Sequence, residues 1–158
     1  MMAARTRLLL ILSSLLAASC AKSDERERLP DLRMPTVAAQ ESPSLASCPT
    51  SKCLTAYVAP WCGYCRAATP MLLALRRFLG EHDVTTRFVV GKDQLPALRD
   101  YAQVFGPDAM LDVNDSLDIG GVPHFFVSDR NGVILKEISG VPAGQAPIAE
   151  IAAVFGLP

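Results

Sequence analysis

The sequence predicts an α/β domain with a central mixed β-sheet flanked by helices. Three observations lead there. Short apolar runs rich in β-branched and aromatic residues alternate with segments whose apolar residues recur at helical spacing. Their order is strand, helix, strand, helix, strand, strand, helix. An Asn131-Gly132 pair between two apolar runs marks a hairpin late in the chain. A parallel crossover unit followed by a hairpin and a last helix packs as a mixed sheet covered by helices.

Each element has its own warrant. Residues 54–59 (LTAYVA) read as a buried strand. After Cys62, the residues Ala67, Met71, Leu72, Leu75 and Leu79 fall at helical spacing, and Gly80 ends that helix. Pro70 lies inside it and is expected to kink it. Residues 84–90 (VTTRFVV) form a second strand. Asp93 is placed to cap a helix with Leu95, Leu98, Ala102 and Phe105 on its apolar face, stopped by Gly106 and Pro107. Residues 108–119 follow no period and receive no assignment. Residues 124–128 (HFFVS) and 133–138 (VILKEI) flank the Asp129-Arg130-Asn131-Gly132 turn. Pro147 opens a last helix with Ile148, Ile151, Ala152 and Phe155 on one face, closed by Gly156.

The N-terminus points to export. Arg5 and Arg7 precede the run LLLILSSLLAA, which ends in small residues. A basic start, a short apolar core and small residues before a cleavage point make a secretory signal over residues 1–19. The run is too short to span a membrane, which takes about 20 apolar residues. Leu16-Ala17-Ala18-Ser19-Cys20 resembles the lipobox of bacterial lipoproteins, which implies a lipid on Cys20. Residues 20–47 are charged, proline-punctuated and aperiodic, and read as a solvated flexible tether. Residues 48–158 suit one compact domain. A net charge of −1 and the lack of a basic patch with interleaved aromatics argue against nucleic acid.

Of five cysteines, lipidation of Cys20 leaves two close pairs, Cys48 with Cys53 and Cys62 with Cys65. An exported compartment permits disulfides, so zinc through four thiolates is the less natural reading. Cys62 falls where a strand has ended and a helix begins. The free N–H groups and positive dipole end of a helix start favour a thiolate there. Cys65 lies one turn on and reaches the same sulfur. An open Cys62 as nucleophile and a shielded Cys65 as resolving thiol is the arrangement that thiol–disulfide exchange needs. Trp61 supplies an apolar lid beside the pair.

The stretch WCGYCRAATP resembles the thioredoxin motif, with tryptophan before the first cysteine, a basic residue after the second and a proline five positions beyond it. The resemblance covers about residues 52–156 and implies a thioredoxin-like fold. It implies that Val122-Pro123 is a cis peptide against the disulfide, an X-Pro bond being the place where cis occurs. It also implies that Val122 lines the substrate groove with Trp61. Two positions depart from the pattern. Ala56 stands where many thioredoxins carry a buried acid, and Ala68 where several cytochrome-maturation relatives carry a glutamate. Gly63-Tyr64 resembles the dipeptide of periplasmic disulfide isomerases, but those carry a separate dimerisation domain, which a tether of about 30 residues is not expected to form.

The expected activity is therefore thiol–disulfide exchange in the bacterial cell envelope, on the periplasmic or other extracytoplasmic side, without a fixed direction. Its partners would be exported cysteine-containing proteins, a membrane redox partner and the membrane itself through the lipid anchor. No cofactor or metal is expected. His124, following the proline, is a candidate modulator of the Cys62 thiolate, with an outward-facing strand residue as the alternative. His82 reads as an exposed loop residue. Cys48–Cys53 reads as a clip, with an electron relay as the alternative. Two other classes stand beside the redox reading: a lipid-anchored copper or zinc delivery protein, and a structural protein whose disulfides are inert.

Overall fold

The computed structural model describes residues 27–142 and 146–158. The expected signal, Cys20 and residues 20–26 lie outside the described residues. The elements are β1 (Lys52–Val58), α1 (Gly63–Gly80), β2 (Val84–Gly91), α2 (Leu95–Ala102), β3 (Met110–Asp112), β4 (His124–Asp129), β5 (Ile134–Ser139) and α3 (Ile148–Val154). The sheet order is β3-β2-β1-β4-β5. β1–β2 and β2–β3 pair in parallel, while β4 pairs antiparallel with both β1 and β5. Parallel pairing places the ends of β1, β2 and β3 together, and α1 starts from that side.

Alternation along the strands divides the core in two. Leu54, Ala56 and Val58 of β1 and Phe125 and Val127 of β4 face α1, α2 and α3. On α1 the buried stripe is Cys65, Ala68, Leu72, Leu75 and Leu79. Ala67 is exposed and Met71 half-buried, so the face is rotated from the one expected, because Cys65 and Ala68 lead it. α1 runs through Pro70 as one element. The N-cap of α2 is Gln94 and not Asp93; the Asp93 carboxylate instead accepts from the Gln94 N–H at 2.7 Å. β3, three residues long, is too short to show a period.

The opposite face corrects the expectation of a tether. Leu29, Met34 and Leu45 are buried there against Tyr57, Val89, Met110, Leu117, Ile119 and Phe126. From residue 27 the chain is a strap across the sheet. It begins at the β4–β5 turn, where Ile134 N–H donates to Glu27 O at 2.8 Å and Leu29 N–H to Gly132 O at 2.9 Å. It crosses to the outer edge of β3, where Leu111 N–H donates to Pro35 O at 2.8 Å and Val37 N–H to Ala109 O at 3.0 Å. It turns at Ala39, whose φ is 58°, and returns alongside itself, with Ser42 N–H on Met34 O at 2.8 Å and Leu45 N–H on Leu32 O at 3.0 Å. Each buried aliphatic side chain contributes roughly 1.5–3 kcal/mol, enough to hold a segment whose composition reads as solvated. The strap also occupies an edge that would otherwise be open to pairing. Helices thus cover one face of the sheet, and the strap covers the other.

Candidate active site

The site stands at the start of α1. Cys62 is the N-cap, with extended backbone at φ −78° and ψ 109°, and its Sγ accepts from the Cys65 N–H at 3.1 Å. A sulfur that takes an orphan helix N–H is a sulfur stabilised as thiolate when reduced. Cys62 and Cys65 are joined as a disulfide, with Cα atoms 5.2 Å apart. The expectation of an open Cys62 needs correction: Cys62 is 3% exposed and Cys65 0%. The surface beside them is aromatic instead. Trp61 is 62% exposed and Tyr64 77%.

The Val122-Pro123 bond is cis, and Pro123 is buried. The carbonyl oxygen of Val122 lies 3.6 Å from Cys62 Sγ. That brings Trp61, Cys62, Cys65, Val122 and Pro123 to one end of the sheet. Ala56 and Ala68 are both buried. Thr69 Oγ1 donates to Cys65 O at 3.0 Å and lies 3.0 Å from the Tyr101 hydroxyl. Burial pushes the Tyr101 hydroxyl pKa up, so it stays protonated. Arg66 ties the loop before the helix to its first turn: Nε donates to Pro60 O at 2.6 Å, and the guanidinium lies over the Tyr101 ring.

His124 belongs elsewhere. Its Nε2 is 2.7 Å from Glu137 Oε1 and its Nδ1 2.8 Å from Ser139 Oγ, both on β5. Its ring packs on Phe126, on the strap side of the sheet. With both ring nitrogens engaged, neither is left for a thiolate at Cys62. His82 Nδ1 lies 2.8 Å from Phe78 O in the exposed turn after α1. Among the described residues, no group of three or more histidines, cysteines and carboxylates is gathered in a way that could hold a metal ion.

Cys48 and Cys53 form the second disulfide, with Cα atoms 5.8 Å apart. Cys53 opens β1 and Cys62 follows its far end. At about 3.3 Å per strand residue, β1 from Cys53 to Val58 sets roughly 16 Å between the two disulfides, too far for direct exchange within one molecule. Two residues of the site had no sequence signal. Lys92 supplies its carbonyl to the Trp61 indole Nε1–H at 2.8 Å, and a backbone acceptor leaves no mark on composition. Tyr101 was hidden within the pattern of a core-facing helix.

No protein-family profile matches the chain, and no curated protein resembles it in sequence. Solved structures do match it. A secreted disulfide oxidoreductase of Mycobacterium tuberculosis, described as homologous to E. coli DsbE, superposes with a TM-score of 0.60 at 13% identity, over 80% of this chain and 95% of that one. The exposed lipoprotein thioredoxin of Streptococcus pneumoniae gives 0.62 at 15% identity, over 78% and 99%. A DsbE-type putative thiol:disulfide interchange protein of Chlorobium tepidum gives 0.60 at 20% identity, over 83% and 92%. The chain has the thioredoxin-like fold, with its Cys62–Cys65 pair at the start of the helix that follows β1.

Proposed function

We propose that the protein is an exported, lipid-anchored thiol–disulfide oxidoreductase of the bacterial cell envelope. The observation that carries the reading is the Cys62–Cys65 disulfide at a helix N-terminus, with Cys62 Sγ against the carbonyl of Val122. In the reductive direction the Cys62 thiolate attacks a substrate disulfide. One substrate sulfur leaves as thiolate and takes a proton, and a mixed disulfide forms. The Cys65 thiol loses its proton and attacks Cys62 Sγ, which expels the second substrate thiolate and closes Cys62–Cys65. A dithiol partner must supply two electrons to restore the pair. The oxidative direction is the reverse.

With alanine at 56 and 68, no carboxylate stands where related sites take the Cys65 proton. Water or the departing substrate thiolate serves as acceptor. Export is supported by the signal over residues 1–19 and by neighbours described as secreted or as an exposed lipoprotein. Cys20 is the anchor, and the partners are exported cysteine-containing proteins together with a membrane dithiol–disulfide protein. The test is trapping. Cys65→Ser should accumulate mixed disulfides with envelope proteins that dithiothreitol releases, and Cys62→Ser should not. Equal trapping by both variants would exclude the assigned roles.

A further inference from the structure

We infer that Lys92 and Asp115 act together as a latch that orients Trp61 in the substrate groove; the inference rests on the redox reading of the site. Trp61 is the only tryptophan in the chain and stands largely in solvent beside Cys62. Its polar anchor is the bond from its Nε1–H to Lys92 O. Lys92 comes directly after β2 and is left-handed, with φ 62°. A side chain with a Cβ is strained in that region, so the conformation persists only where neighbours hold it.

Those neighbours are present. Lys92 Nζ lies 2.9 and 3.0 Å from the two carboxylate oxygens of Asp115. Asp115 is itself left-handed, with φ 50°. Its loop is built around the buried carboxylate of Asp112. Asp112 Oδ1 accepts from Ser116 N–H at 2.7 Å, and its Oδ2 from Leu117 N–H at 3.1 Å and from the Tyr57 hydroxyl at 3.1 Å. A continuous set of contacts therefore runs from a fully buried tyrosine to an exposed indole. Loss of the ion pair lets Lys92 leave the left-handed region. Its carbonyl then turns, and the indole becomes a free rotor.

A free rotor weakens binding rather than chemistry. The substrate must then order the ring itself, while the attack by Cys62 is unaltered. Lys92 and Asp115 touch neither sulfur nor substrate in this scheme, so they are positioning residues. The experiment uses the reduced protein as wild type, Asp115→Ala and Lys92→Met, mixed in stopped flow with increasing concentrations of a disulfide-bonded peptide. Trp61 emission follows the oxidation. In both variants the half-saturating concentration should rise roughly 2- to 10-fold, the cost of ordering one side chain, at a limiting rate close to wild type. Trp61 anisotropy should fall in both. Wild-type anisotropy in both variants, or a fall in limiting rate at unchanged half-saturation, overturns the latch. Failure of the redox reading shows separately, as a wild-type protein that exchanges with no disulfide; the anisotropy then decides the latch.

Discussion

The guanidinium of Arg87 donates to the carbonyl of Ser47 at 2.8 Å, on the strap side of the sheet. It also donates to Ser44 O and Leu45 O, both at 3.3 Å, and its Nε donates to Thr55 Oγ1 at 3.2 Å. An arginine in the middle of β2 is otherwise out of place. It belongs there because the returning limb of the strap brings carbonyls that need donors. Burial pushes its pKa down to about 10, so it is charged at neutral pH.

Arg87→Met keeps much of the apolar stem and removes every donor. Three carbonyls and a buried hydroxyl then lose a partner, at a cost of about 2–4 kcal/mol. Melting temperature should fall, and residues 27–47 should become sensitive to protease and to hydrogen exchange. Exchange at Cys62–Cys65 should persist. An unaltered exchange pattern in the strap would show that Arg87 does not hold it.

Cys48–Cys53 holds the same segment at its end, where Cys48 N–H also donates to Arg130 O at 3.1 Å. The chain-entropy estimate for so short a loop is about 2 kcal/mol. Replacing both cysteines by serine should lower stability by about that amount and leave disulfide turnover nearly intact. Collapse of turnover at an unchanged Cys62–Cys65 potential would revive the relay, which the separation of the two pairs argues against.

Tyr57 makes stability depend on alkaline pH. Burial is the main reason its hydroxyl is raised well above the ordinary 10.0, with the Asp112 charge and hydrogen bond adding to it. The unfolded chain ionises near 10 while the folded chain keeps its proton. The stabilisation is whole below that pH and is lost as pH rises above it. Arg87 works in the opposite sense above about 10, because burial holds its folded value below the unfolded one. A difference measurement separates them. Tyr57→Phe should be about 1 kcal/mol less stable at neutral pH, and the gap should shrink above pH ~10. Urea melts at both pH values check this, and a constant gap would exonerate Tyr57.

How much of this was legible in the sequence depends on whether the signal was local. WCGYC carries its chemistry in five consecutive residues, and Asn131-Gly132 carries its turn in two, so both could be read directly. Pro123 needed the family resemblance, since a lone X-Pro does not declare its isomer. The strap was misread because Leu29, Met34 and Leu45 follow neither a helical nor a strand period. What buries them is the bare face of a sheet formed by residues far along the chain. His124 was ambiguous because alternation separates two faces without saying which one holds the disulfide. Glu137 and Ser139 settle that, and they are contributed by the partner strand.

The last prediction concerns Gly91, which ends β2 directly beneath Tyr57. A Cβ placed there would collide with the hydroxyl oxygen and the adjoining ring carbon of Tyr57, and would lie 3.2 Å from the Cβ of Asp112. The absent side chain is what lets the hydroxyl reach Asp112. Gly91→Ala must therefore displace a ring that is fully buried, at a cost of about 1–3 kcal/mol for overpacking. Tyr57→Phe cannot relieve the strain, because the ring carbon collides as well as the oxygen. Tyr57→Leu removes the colliding atoms. The double variant Gly91→Ala with Tyr57→Leu should then be more stable than the sum of the single changes, by about 1 kcal/mol or more. Urea melts of the four proteins supply the cycle. Strict additivity would mean that the alanine methyl finds room without moving Tyr57, and the close approach would not be what keeps glycine at this position.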